Sequence, residues 1–222
     1  MEARRTDDFA AQRAAMVGYL GREIRDERVL SALAAVPRER FVPPDLRSRA
    51  YDNTPLPIGY GQTISQPLVV AIMLEALDLR GGESVLDIGT GSGYQAALLC
   101  LLAREVVSVE RIPELAAGAT AALDELRYGN VRVHIAGRLL GWPAGAPYDA
   151  IIAGAAAPSL PDALLTQLAV GGRLVMPVGG PDEQRLMVVR KDDAGASVSE
   201  GGACRFVPLI GEGAFAPGHM SN

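Results

Sequence analysis

The stretch VLDIGTGSGYQ, residues 85–95, decides the reading of this chain. Val85 to Ile88 is apolar apart from Asp87 and suits a short buried strand; glycines then recur at every second position before a helix-forming run. Gly89, Gly91 and Gly93 let the backbone turn sharply and approach a ligand with no Cβ in the way. A second acid, Glu110, closes the next apolar run, VVSVE, 110 − 93 = 17 residues beyond the last glycine. An acid there can accept the hydrogens of both ribose hydroxyls.

Spacing separates two kinds of ligand. A dinucleotide loop runs G-x-G-x-x-G, and counting from Gly89 the third place holds Tyr94. A helix N-terminus favours a pyrophosphate, but Asp87 beside the loop opposes one. D-x-G-x-G-x-G suits a cationic ligand without phosphate, namely the sulfonium, amino and carboxylate groups of S-adenosylmethionine. The alternative is a tight strand-to-helix turn that holds nothing, with Glu110 a solvated charge opening a helix.

Outward from the loop, strands and helices alternate. Gln66 to Leu79 reads as a helix with Ser65 at its cap and Pro67 in the tolerant first turn. After the loop come a helix over Tyr94 to Ala103, the VVSVE strand, a helix over Pro113 to Leu126, and the strands VRVHI, DAIIAG and GRLVMPVG. A helix over Leu160 to Leu168 separates the last two; LMVVRK and Cys204 to Leu209 complete the set of strands, and Ala194 to Gly202 reads as a small polar turn. Such alternation implies an α/β fold, a doubly wound, mostly parallel sheet covered on both faces. Upstream, Phe9, Met16, Val17 and Leu20 mark one amphipathic helix, and Asp26 caps a second that carries Val29, Leu30, Leu33 and Val36 before Pro37 ends it. Residues 41–67 hold five prolines and read as a long loop. The expected division is a helical lobe and covering loop over residues 1–64, a ligand-binding α/β domain with a closing substrate strand over 65–210, and a flexible tail over 211–222.

The 222 residues suit one domain, and 49% hydrophobic against 21% charged residues describes an ordinary globular chain. A net charge of −5 argues against a dedicated nucleic-acid binder. The longest apolar run, Ala96 to Ala103, is far short of the roughly 20 residues of a membrane span. Asp7, Asp8 and Arg13 interrupt any signal-peptide pattern after Arg4 and Arg5. Cys100, Cys204, His134 and His219 have no metal-ligand spacing. The expectation is a reduced, cytoplasmic, metal-free monomer with neither nucleic-acid nor membrane partners.

Asp87 to Gly93 followed by Glu110 resembles the cofactor site of Rossmann-like class I methyltransferases. The segments DERVLSALAAVPRERFVP, PLPIGYGQTISQP, VERIPELA, LGWP, APYDAII, GGRLVMPVG and RFVPL, in that order, resemble the protein-L-isoaspartate (D-aspartate) O-methyltransferase family from about Asp26 to Leu209. The resemblance implies S-adenosylmethionine-dependent methylation of the stray carboxylate of isoaspartyl residues in aged proteins, with S-adenosylhomocysteine as product. It implies a cofactor site of Asp87, Gly89, Thr90, Gly91, Ser92, Gly93, Glu110, Arg111 and Gly137. Ser65 would aim the substrate carboxylate, and Ile58, Tyr60, Gln62, Thr63, Arg205 and Val207 would bind substrate. Trp142 reads as a packing anchor near the adenine, and His134 and Cys100 as structural. The chain departs from the family where G-D-G is expected after the third strand. It has Ala136-Gly137-Arg138, which leaves the adenine amino group without its acid. That departure keeps two further readings open: a relative methylating one particular peptide aspartate in biosynthesis, or a non-catalytic cofactor- or peptide-binding module.

Overall fold

The computed structural model describes residues 8–216 and 218; the charged start around Arg4 and Arg5 and the tail residue His219 lie outside them. Asp8 and Asp26 open the first two helices, α1 (Phe9–Leu20) and α2 (Glu27–Ala35), by accepting the amide hydrogens of Ala11 and Arg28. The proline-rich stretch that follows is more ordered than a loop. It contains 3₁₀ turns at Arg38–Phe41 and Pro44–Arg49, then an antiparallel hairpin of β1 (Leu56–Gly59) and β2 (Gln62–Ile64). Gly59, Tyr60 and Gly61 all take positive φ at its tip, which reverses the chain despite Pro55 and Pro57.

Helix α3 (Pro67–Leu77) starts one residue later than expected. Gln66 stands at its cap without a side-chain bond, so the Ser65 hydroxyl is not spent on capping. There follow β3 (Ser84–Ile88), α4 (Tyr94–Leu102), β4 (Glu105–Glu110), α5 (Pro113–Glu125), β5 (Val131–Ile135), β6 (Tyr148–Ala153), α6 (Asp162–Gln167), β7 (Leu168–Gly179), β8 (Gln184–Asp192) and β9 (Gly195–Cys204). The main sheet runs β5-β4-β3-β6-β7-β8-β9, parallel from β5 to β7 and antiparallel at β7/β8 and β8/β9.

Two expectations at the C-terminal end are corrected. Residues 195–204 form an edge strand, not a turn, because exposed small and polar residues can pair with β8 without facing a core. Arg205 to Leu209 is an extended segment, not a regular strand. Gln184 clips it by accepting from the Phe206 amide (2.7 Å) and donating to the Phe206 carbonyl (3.2 Å). Beyond it, the Glu212 amide donates to the Arg138 carbonyl and the Phe215 amide to Leu209.

Alternating side chains load both faces of the sheet. Val85, Ala150 and Ile152 pack in one core with Leu33, Leu74 and Leu98 from the helices; Leu86, Ile88 and Ile151 pack in the other with Leu164, Leu174 and Met176. Order along the sheet fixes where a ligand goes. The chain leaves β3 toward β4 and β5, then crosses back to β6 on the other side of β3, so a crevice opens at the carboxyl ends of β3 and β6.

Candidate active site

The glycine loop sits at that crevice. Gly89, Gly91 and Gly93 have φ of +85°, +54° and +91°, a region L side chains avoid. Gly93 is restricted twice, since a Cβ there would lie 3.2 Å from the Cβ of Ala119 on α5. The neighbour of Gly89 is Gly154, just after β6. The Gly154 amide donates to the Ile88 carbonyl (2.8 Å), and a Cβ at Gly154 would lie 3.4 Å from the Gly89 carbonyl oxygen.

Between these glycines and β5 lies a cleft. Gly89, Gly91, Glu110, Arg111 and Gly137 line it, as do Gln62 and Thr63 from the hairpin and Val207 from the clipped segment. Its far end, formed with Leu139, Leu140 and Ile112, is apolar. Glu110 is nearly buried at 7% exposure. Its Oε2 accepts from the Gly91 amide and its Oε1 from the Ile112 amide, both at 2.9 Å. Each carboxylate oxygen keeps further lone pairs, so a vicinal diol can still donate both its hydrogens. A side-chain-free cradle, a diol acceptor and an apolar end fit a nucleoside carrying an amino-acid tail.

Asp87 lies beneath the loop, away from the wall of the cleft. It is fully buried; Gln95 donates to its Oδ1 and Ser108 to its Oδ2, both at 2.7 Å. Ser108 thereby spends its only hydrogen, so Thr90 donates across the 2.6 Å contact between their hydroxyls. Burial pushes the Asp87 carboxyl up to about 6; the Glu110 charge adds a smaller push, and the two donors pull the other way. Asp87 and Thr90 thus brace the loop from below.

A second, smaller hollow lies between the loop and the segment after β2. Thr90, Gly91, Ser92, Tyr94 and Gln95 form one wall, Thr63, Ile64 and Ser65 the other. A third hollow opens from the same place and gathers Thr63, Ser65, Cys204, Arg205 and Val207. Thr63 and Gly154 border all three. The Ser65 hydroxyl makes no hydrogen bond within the described residues, while the Ser65 carbonyl accepts from Arg38 Nη2 at 2.7 Å.

Of the other expected residues, Ile58 leans on the loop, since a Cβ at Gly91 would lie 3.3 Å from its Cδ1. Tyr60 stands at the hairpin tip, 60% exposed, and lines none of the three hollows. Arg205 is exposed at the rim of the third. Trp142 stacks on His134 at 4.1 Å and 12°, beside the cleft but outside its lining. Sequence reasoning missed Gly154, whose signal was a glycine ending DAIIAG, and missed Ser108 and Gln95, which carry none. A Cβ on Gly137 would meet nothing within 4 Å.

This topology and crevice define a Rossmann-like class I methyltransferase. The family model for protein-L-isoaspartate(D-aspartate) O-methyltransferase matches residues 12–214. Protein-L-isoaspartate O-methyltransferase 1 of Rhodopseudomonas palustris is 53% identical over 212 residues, covering 94% of this chain and 86% of the relative. The Anaeromyxobacter dehalogenans (strain 2CP-1) protein-L-isoaspartate O-methyltransferase is 55% identical over 204 residues, covering 90% and 97%. A solved protein-L-isoaspartate O-methyltransferase superposes with a TM-score of 0.82 at 27% identity over 91% of this chain and 67% of that one. A Plasmodium falciparum structure named for the same activity, in complex with S-adenosyl-L-homocysteine, superposes at 0.78 with 24% identity over 88% and 96%, and speaks for the fold. The chain belongs to the protein-L-isoaspartate(D-aspartate) O-methyltransferase family. Among the described residues no helix is long and apolar enough to cross a membrane.

Proposed function

We infer that this protein transfers a methyl group from S-adenosylmethionine to the free carboxylate of L-isoaspartyl and D-aspartyl residues in damaged proteins, the first step of a repair that proceeds through a succinimide. The observation that carries the assignment of roles is the shared border of the three hollows. A ligand in the glycine cleft and a carboxylate beside Ser65 would meet at Thr63 and Gly154. Bound there, S-adenosylmethionine supplies a methyl group on a positively charged sulfur, open to displacement by a carboxylate oxygen.

The chain's own residues orient and exclude water. A carboxylate, with an ordinary pKa near 4, is already ionised at neutral pH, so no general base is needed. Ser65 donates its free hydroxyl hydrogen to one carboxylate oxygen and leaves the other aimed at the methyl group; orientation of this kind supplies most of the acceleration. Glu110 holds the ribose hydroxyls, Leu139 and Leu140 pack on the base, and Asp87 offsets the ligand's positive charge from below. Ile58, against the loop, keeps water from the reacting oxygens. Arg205 on the extended segment faces the acidic chain of the substrate, whose backbone can bond to the main-chain groups of Arg205, the Val207 amide and the Pro208 carbonyl, which the fold leaves open among the described residues, a mode that tolerates many sequences. We propose that the enzyme works as a cytoplasmic monomer without nucleic-acid partners, in line with its net charge of −5.

The test is methyl transfer to a peptide pair that differs only in an isoaspartyl or an aspartyl linkage. A base-labile methyl ester on the isoaspartyl peptide alone is expected. Transfer to the aspartyl peptide alone would favour the biosynthetic reading, and cofactor binding without transfer would favour the binding module.

A further inference from the structure

Arg38 has no place in the roles assigned above, and its surroundings are unusual. It follows Pro37 in the 3₁₀ turn Arg38–Phe41 and is fully buried. Among the described residues no carboxylate pairs with its guanidinium. The guanidinium reaches three separate parts of the chain. Nε donates to the Ala50 carbonyl at 2.7 Å, Nη2 to the Ser65 carbonyl at 2.7 Å, and the guanidinium carbon sits 4.6 Å from the centre of the Tyr94 ring. Tyr94 is itself fully buried and is the first residue of α4, directly after Gly93. Burial lowers the Arg38 pKa, so the interior works against its charge. A buried cation without an anion is a poor way to gain stability.

We propose that Arg38 is a positioning residue for methyl transfer: its planar fork fixes Ser65 relative to the residue that follows the glycine loop, and so sets the distance between carboxylate and methyl donor. Holding that register needs two donors in fixed geometry and a flat face for an aromatic ring. Arginine has both; a lysine ammonium has neither. The hydrogen bond goes to the Ser65 backbone, leaving the hydroxyl free for substrate. This inference rests on the reading of Ser65 as the group that aims the carboxylate.

The experiment is a double-mutant cycle on turnover, with S-adenosylhomocysteine affinity measured by calorimetry in every variant. Arg38→Lys in the wild-type background should lower kcat on an isoaspartyl peptide roughly 10- to 100-fold, the scale of a misplacement near 1 Å, with S-adenosylhomocysteine affinity changed less than about 3-fold. In a Ser65→Ala background, where no hydroxyl remains to aim, the same substitution should lower kcat less than about 2-fold. Tyr94→Leu, which removes the flat face and stays apolar, should show the same cancellation. Equal fold-losses in both backgrounds would overturn the proposal, as would affinity falling in step with kcat. Failure of both Arg38→Lys and Tyr94→Leu to fold and bind S-adenosylhomocysteine would also overturn it, by making Arg38 part of the scaffold. The two layers separate cleanly: if Ser65→Ala alone leaves kcat unchanged, the serine reading fails; if it lowers kcat and Arg38→Lys then adds in full, only the Arg38 inference fails.

Discussion

Replacing Asp87 with asparagine should raise stability at neutral pH relative to acid, by an amount set by its burial. The carboxyl is fully buried and pushed from the ordinary 3.8 up to about 6, chiefly by loss of hydration. That gap is a little over two pH units at 1.36 kcal/mol each, or about 3 kcal/mol. The sign follows from proton counts. Between pH 4 and 6 the native state holds more protons on this group than the unfolded chain does, so stability falls as pH rises through that window. The contribution is complete below about 3.8 and lost above about 6. Asparagine cannot ionise, and its geometry is tolerated: its oxygen accepts from Ser108, and Gln95 can turn its amide to present oxygen to the new NH₂. Urea unfolding of both proteins from pH 4 to pH 7.5 gives the difference in free energy at each pH, and every other titrating group cancels. The asparagine variant should gain about 2.4 kcal/mol on the wild type between the two ends of the range, the rest of the effect falling below pH 4. Two curves that run parallel would show that Asp87 is not held in the dry environment described.

Ser65→Ala should reduce turnover on isoaspartyl peptide by about 100-fold, a usual scale for loss of an orienting group, while S-adenosylhomocysteine binding by calorimetry changes little; equal loss of both would mean that the serine shapes the cofactor site instead. Gly137→Asp fills open space at the adenine end of the cleft. A new hydrogen bond to a charged acceptor, about 1.5–3 kcal/mol, should tighten S-adenosylmethionine binding roughly 10- to 150-fold, and unchanged affinity would place the adenine elsewhere. Gly93→Ala combines a φ of +91° with a Cβ 3.2 Å from Ala119, so it should lower stability by about 1–3 kcal/mol in thermal unfolding. Wild-type stability in that variant would mean that the loop relaxes freely.

The glycine loop, Glu110 and the alternation of strands and helices were legible because each leaves a periodic or positional mark. Val85 and Leu86 face opposite cores, and the loop follows the strand between them and the helix. The hairpin at Leu56–Ile64 was not legible: Pro55 precedes it and Pro57 lies on a short strand outside the main sheet, where a missing donor costs little. β9 has no apolar alternation because both faces of the strand are wet; it is held to β8 by main-chain pairing, the Arg185–Glu200 ion pair at 3.2 Å and the Ser197 and Ser199 hydroxyls, none of which leaves an apolar mark. The sequence puts Asp87 beside the loop but leaves open where its carboxylate turns; in the structure it turns inward, where Gln95 and Ser108 donate to it. Arg38 was hidden for a similar reason. In the run Arg38-Glu39-Arg40 it looks like any surface charge, and only the tertiary structure puts Tyr94, Ala50 and Ser65 around it.

A crystal structure with S-adenosylhomocysteine and an isoaspartyl peptide tests the whole arrangement at once. The nucleoside should lie between the glycine loop and Gly137 with its ribose hydroxyls on Glu110, and the isoaspartyl carboxylate should accept from the Ser65 hydroxyl at the border formed by Thr63 and Gly154. A nucleoside bound away from Glu110, or a carboxylate seated out of reach of Ser65, would contradict it.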